Sequence, residues 1–182
     1  MNSTYVHLQR KGRFMTSIMP QIQEYLQNLE LFQQILIILL ISMIPVIELR
    51  GALPVAMLAG VPWYIALPVA IMGNMLPTPF ILLFVRKIFK WLRAHTRLGS
   101  LVDRIENRGK RNIEKVQKYE ILGLAVFVAI PLPGTGAWTG ALIGALMDMP
   151  LKKALPTLAA GVLGAGIIVT VLFYYFPKLL GL

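Results

Sequence analysis

Glu48 and Arg50 are where any chemistry in this sequence has to begin. They place an acid and a base inside Ile44-Pro45-Val46-Ile47-Glu48-Leu49-Arg50-Gly51-Ala52-Leu53-Pro54, a stretch otherwise free of charge. Ionisable groups in segments apolar enough for a bilayer are costly and mark substrate or ion pathways. A carboxyl group there can load and release a proton, which predicts proton coupling by Glu48. A guanidinium matches phosphate and carboxylate geometry, which makes Arg50 a candidate for binding an anionic head group. The two groups could instead neutralise each other and only hold the segment together, and the residues alone leave both readings open.

A second Pro/Gly-rich break lies 86 residues on, at Ile130-Pro131-Leu132-Pro133-Gly134-Thr135-Gly136-Ala137-Trp138-Thr139-Gly140. Here the hydroxyls of Thr135 and Thr139 and the amides at Gly134 and Gly136 form the facing half of a site, at a broken helix end suited to anions; close helix packing is the competing reading. Asn74, in the apolar run between the breaks, is expected to face protein, bridging helices or touching substrate. Pro45, Gly51, Pro54, Pro131 and Pro133 are the expected structural breaks, because proline and glycine interrupt helix hydrogen bonding. Irregular backbone at membrane depth is tolerated only where protein buries it or it lines a wet cavity.

The elements that must carry these residues are membrane helices. The chain has 182 residues, 57% hydrophobic and 14% charged, with charge-free runs over 31–47, 51–85, 121–147 and 154–177, which is the profile of a single-domain, all-α integral membrane protein. No cysteine is present, so disulfides, thiolate metal sites and thiol catalysis are excluded. His7 and His95 are isolated in polar segments, no His/Asp/Glu cluster has metal spacing, and no G-x-x-x-x-G-K loop occurs. These absences predict neither enzyme, metal nor cofactor. The net charge of +10 gathers mostly in one loop, which reads as positive-inside topology rather than nucleic-acid binding.

In chain order, 1–30 is a basic tail without a secretory signal pattern, leading into an amphipathic interfacial helix from about Ser17. Residues 31–62 would be about 48 Å long as one helix, too long for a ~30 Å bilayer core, and as two crossings each arm is too short. A re-entrant hairpin tipped at Glu48 to Gly51 fits better. A kinked transmembrane helix then fills 63–85. The loop 86–120 holds 11 Lys/Arg against 4 Asp/Glu and is placed in the cytoplasm, with amphipathic helices around Arg86–Arg93 and from Ser100 resting on anionic lipid. A second hairpin is expected over 121–150 and a last transmembrane helix over 151–177, ending in the aromatic run Phe173 to Phe176.

Those halves repeat. Pro45 aligns with Pro131 at an offset of 86; Pro62 with Pro150, Ala66-Leu67-Pro68 with Ala154-Leu155-Pro156, and Gly73 with Gly161 align at 88. Small residues recur every fourth position in both returning arms, Ala52, Ala56, Gly60 and Gly136, Gly140, Gly144. One crossing per repeat makes the two copies inverted, with hairpin tips meeting near the midplane, an architecture of secondary transporters. Four ordinary crossings remain the alternative. Charge bias does not separate them: 15 against 2 Lys/Arg across the membrane for four crossings, 13 against 4 for inverted hairpins.

The motifs at 45–54, 73–79 (Gly-Asn-Met-Leu-Pro-Thr-Pro) and 131–141 together resemble the prokaryotic small multidrug export family over about residues 35 to 175. That family is in turn similar to the DedA/VTT superfamily, whose members have paired re-entrant hairpins and include translocases of polyprenyl phosphate carriers. The DedA pattern has arginines flanking the proline of the second hairpin; 127–136 has none here, which leaves Arg50 as the one guanidinium in the apolar segments. The resemblance implies a multi-pass protein of the prokaryotic inner membrane, and with Glu48 and Arg50 it favours a proton-coupled carrier, exporting small amphipathic solutes or moving a lipid phosphate head group. A non-transporting scaffold, binding anionic lipid or a partner through its basic loop, is the other class. The small-residue faces make a homodimer an expected form.

Overall fold

The computed structural model describes residues 19–95, 113–132 and 134–179 of the chain, and every regular element among them is helical. Helix α1 covers 19–27 of the described residues. It is followed by α2 (Leu31–Met43), α3 (Glu48–Leu58), α4 (Trp63–Met75), α5 (Thr78–His95), α6 (Ile113–Ala129), α7 (Ala137–Leu146) and α8 (Leu151–Thr170). A π-helical turn, Val171–Tyr175, and a short helix, Phe176–Leu179, complete the described chain. The N-terminal tail, the expected helix from Ser100 and Pro133 lie outside the described residues.

Proline decides where these helices stop. Pro45 crowds the residue before it out of the helical region, and Ile44 is accordingly extended (φ −71°, ψ 128°), so α2 ends at Met43. Two non-glycine residues, Val46 (φ 73°) and Glu48 (φ 51°), then take up left-handed backbone to turn the chain into α3. Such conformations cost energy and persist only where the surroundings enforce them. The break thus occupies 44–47 rather than the expected 48–51: Glu48 opens α3, and Gly51 and Pro54 lie inside it. The second break, 130–136, runs from Pro131's neighbour to Gly136, with Gly134 in left-handed backbone (φ 84°).

α3 and α7 end in the same turn. Gly60 (φ 76°) and Asp148 (φ 52°) are left-handed, and Val61 N–H donates to Ala56 O (2.9 Å) as Met149 N–H donates to Gly144 O (3.0 Å). That is the helix-ending motif in which the residue after the left-handed one closes a wide loop onto the last turn. Pro62 and Pro150 follow, nearly identical in backbone (φ −60°, ψ 142°; φ −59°, ψ 142°), and start α4 and α8.

Packing repeats as well. α2 lies on α4 and α6 on α8, while α4 and α8 lie on each other and α5 on α7. A Cβ at Gly73 would press on Leu39 O and the Ser42 side chain; a Cβ at Gly161 would press on Ala125 O and Val128. The contacted residues, 39 and 42 against 125 and 128, are related by the same offset of 86 that relates Pro45 to Pro131. The small-residue stripes are used inside this bundle: Ala52, Ala56, Gly140 and Gly144 are buried, so a homodimer would need another surface.

Two stretches, Trp63–Ile88 and Leu151–Tyr175, are long and apolar enough to cross a membrane. The first is interrupted at 76–77 by the Pro77 turn, where the Thr78 hydroxyl donates to Met75 O (2.7 Å). α2 has 13 residues, α3 11 and α7 10, about 15–20 Å each, short of a ~30 Å hydrocarbon core. Outward faces are apolar along α2, α5 and α8, with Leu36, Leu40, Phe80, Phe84, Leu163 and Ile167 exposed. Apolar area on this scale calls for a covering phase.

Candidate functional site

The side chains of Glu48 and Arg50 both reach the second break, and each is used on a different end of it. Glu48 is 3% exposed. Its Oε1 accepts the backbone N–H of Trp138 (3.1 Å) in the first turn of α7. A carboxylate there meets the unsatisfied amides and the positive end of the helix dipole. Gly136, the N-cap residue of α7, makes this approach possible, because a Cβ on it would overlap the Glu48 carboxylate.

Arg50 serves the opposite end of α6. Its Nη1 donates to Leu132 O, and its Nη2 donates to Ile130 O (3.0 Å), to Val128 O (3.3 Å) and to the Thr135 hydroxyl (3.1 Å). The Thr135 hydroxyl lies within donor reach of Ile130 O (2.7 Å) and Leu132 O (2.9 Å), closing the loop on itself. A cation over the last carbonyls of a helix is the dipole-favoured arrangement. The direct contact between Arg50 Nη1 and Glu48 Oε2 is 4.0 Å, too long for a hydrogen bond. Hydrogen bonds to charged groups contribute about 1.5–3 kcal/mol each, so the bonds to the second break outweigh the mutual attraction in holding this geometry.

Two atoms remain unengaged. Glu48 Oε2 and Arg50 Nε are buried and have no hydrogen-bond partner among the described residues. The cluster therefore holds one carboxylate oxygen sealed from the surroundings and facing a guanidinium beyond bonding distance.

Glu48, Arg50, Thr135 and Gly136 thus come together. Gly134 sits exposed at the tip, and Thr139, half-buried in α7, takes no part in these bonds. Asn74 is elsewhere, on α4 beside Gly73; it is 1% exposed, and neither its amide oxygen nor its nitrogen has a partner among the described residues. Pro45 and Pro131 lie within the breaks, whereas Gly51 and Pro54 are helical.

One residue escaped the sequence reading. The indole N–H of Trp138 donates to Met43 O (3.1 Å), the last residue of α2, while its backbone N–H serves Glu48. A signal was present: carried through the tip, the offset of 88 pairs Arg50 with Trp138, and both are long side chains ending in N–H donors.

Two pockets lie apart from this cluster. An open apolar groove of about 440 Å3 on α5 is lined by Phe80, Ile81, Leu83, Phe84 and Lys87. A pocket of about 70 Å3 gathers Glu120, Asp148 and Lys153 with Met147 and Met149. Neither contains a residue of the Glu48 cluster. Among the described residues, no group of three His, Cys, Asp or Glu could hold a metal ion.

Comparison with known proteins adds a family. The family described as "Putative small multi-drug export protein" matches residues 48–168, a range that begins at Glu48, takes in both α3–α4 and α6–α7, and ends within α8. Neither the curated proteins nor the solved structures compared with it include a match. With more than half of its length matched, and with apolar helices long enough to span, this membrane protein belongs to the small multi-drug export protein family.

Proposed function

We propose that the protein is a proton-coupled membrane carrier that exports small amphipathic compounds, with Glu48 as the coupling acid. The observation that carries this reading is the state of Glu48: a carboxylate 3% exposed, with Oε2 lacking a hydrogen-bond partner. A buried group of this kind is expensive, and intramembrane acids are retained for transport or proton relay. Protonation or an arriving cation would weaken the carboxylate's hold on the Trp138 amide of α7, so loading would be coupled to movement of α7.

Substrate charge follows from what Arg50 does. The hydrogen bonds of Arg50 go to the second break and to Val128 O in the last turn of α6, so an anionic head group would have to compete with three carbonyls. Amphipathic cations are the better match, and a lipid-phosphate cargo of the DedA kind is the weaker alternative.

Two inverted repeats, each a re-entrant hairpin followed by a spanning helix, are the architecture this reading uses. Its support is local: the matched turns at Gly60 and Asp148, the matched contacts of Gly73 and Gly161, and intervening helices too short to span. Odd crossings per repeat place the α2–α3 and α6–α7 tips on opposite approaches to one central site in a cell membrane.

The test is efflux of tetraphenylphosphonium from proteoliposomes under an imposed pH gradient, comparing wild type with Glu48→Gln. Glutamine keeps an oxygen for Trp138 N–H and removes the titration. Gradient-driven efflux should disappear in the variant, while downhill leak persists. Unchanged efflux with unchanged pH dependence would refute proton coupling through Glu48. A chain with no efflux in either form, whose activity vanishes when Arg86, Lys87, Lys90 and Arg93 are neutralised, would be a lipid- or partner-binding scaffold.

A further inference from the structure

We propose that Arg50 and Trp138 are a matched pair of latches, each closing one face of the carrier by holding the first arm of the opposite helix pair. This rests on the carrier reading above and deepens it. Arg50, on α3, reaches across to Val128 O in the last turn of α6 and to Ile130 O and Leu132 O just beyond it. Trp138, on α7, reaches across to the carbonyl that ends α2: Met43. The donors are related by the offset of 88 that aligns the returning arms. At the offset of 86 that aligns the first arms, Met43 falls opposite Ala129, between the Arg50 acceptors Val128 and Ile130. A side-chain N–H on one returning arm thus caps the opposite first arm, in both directions.

The point about which the pairs are exchanged is visible too. Glu48 and Gly136 are themselves related by 88, and the Glu48 carboxylate occupies the space a Cβ of Gly136 would need. Contact between two equivalent positions is what an axis of approximate two-fold symmetry produces. Only one of them carries a side chain, because two would collide. Glu48 is bonded to the backbone of Trp138 and lies 4.0 Å from Arg50, so it touches both latches.

The latches differ in strength. Arg50 makes four charge-assisted bonds; Trp138 makes one neutral bond through its ring. Charge-assisted bonds are roughly twice as strong as neutral ones. The face closed by Trp138, that of α2, should therefore open first when Glu48 changes state.

The chain contains no cysteine, which allows single reporters. Ser42 and Val128 are equivalent, buried, and one residue from the end of each first arm. Ser42→Cys and Val128→Cys would each be combined with Trp138→Phe, which deletes only the indole N–H, or Thr135→Val, which removes one Arg50 acceptor and loosens its loop. Labelling rate with a membrane-impermeant maleimide would be read on full-length protein in oriented vesicles, from each side. Trp138→Phe should raise labelling at position 42 by about tenfold, the effect of one buried hydrogen bond, and leave position 128 unchanged. Thr135→Val should do the reverse, by a smaller factor and from the other side of the membrane. If both reporters rise together in either variant, or neither rises, or both respond from one side, the latch pair is wrong.

Arg50→Lys is a harsher version of the second arm, and a failure of that variant to fold leaves the Thr135→Val result standing. The labelling needs no transport, so a failure of Glu48→Gln to alter efflux would remove the proton-coupling reading without touching this result.

Discussion

Between α2 and α3 the chain turns on four residues, 44–47, and delivers two charges; between α6 and α7 it turns on seven, 130–136, and delivers carbonyls and amides. The tight turn is strained, with β-branched Val46 in left-handed backbone, and its glutamate and arginine point out of it. The wide turn uses Pro131, its glycines and Thr135 to splay its backbone groups toward them. Elsewhere the two pairs match: same helix-ending turn, same proline start for the following helix, same glycine contact of that helix on the first arm. The lesson is a division of labour between two similarly turned helix pairs, with one supplying charges and the other supplying what charges bind.

Gly136 is where that division can be broken most severely. Gly136→Ala drives a methyl into the Glu48 carboxylate, and expelling a buried charge from its partners costs about 3–5 kcal/mol. A large fall in the thermal unfolding midpoint in detergent is expected. Truncating the intruder should relieve it: the double variant Glu48→Ala, Gly136→Ala is predicted to be more stable than the sum of the single changes implies, since contacting sites are not additive. Strict additivity would mean the two positions do not share that space.

The matched frame predicts matched costs. Gly73→Ala and Gly161→Ala each push a methyl onto a backbone carbonyl, Leu39 O at 2.5 Å and Ala125 O at 2.7 Å, and a carbonyl within a helix cannot swing aside. Overpacking of this kind costs about 1–3 kcal/mol. The two values should fall in the same range; one neutral change beside one severe one would show that the two halves pack differently.

Gly60 offers the smallest and cleanest effect. Nothing lies within 4 Å of where its Cβ would be, so Gly60→Ala pays only for φ 76°, about 1–2 kcal/mol. Asp148, at the equivalent position, already tolerates left-handed backbone. Gly60→Asn should therefore cost less than Gly60→Ala in the same unfolding measurement, and equal costs would assign the effect to something other than backbone conformation.

Local chemistry carries much of the fold. A charge-free run is visible in sequence because the bilayer excludes charge, and Pro45, Pro62, Pro131 and Pro150 are visible because proline restricts its own and its neighbour's backbone wherever it stands. The alignment of Gly73 with Gly161 was likewise legible, and the structure gives both the same contact. Gly51 and Pro54 show the limit. Their residue types argue for a break, yet they sit in α3, because the turn had been made four residues earlier by Val46 and Glu48, which no propensity marks as left-handed.

From the sequence alone came the membrane class, the residue correspondences between the two halves and the identity of the two charges, all consequences of residue type and spacing along the chain. Only the tertiary structure decided what the charges do. Glu48 and Arg50 are two residues apart and invite pairing, but their side chains part to serve α7 and α6, which lie 78 to 90 residues away. Trp138 reaches Met43 across 95 residues. The physical reason is that a broken helix exposes amides at one end and carbonyls at the other, and in a water-poor interior each must find a partner. Which side chain supplies it depends on where the packed helices bring those ends, a long-range matter on which periodicity and composition are silent.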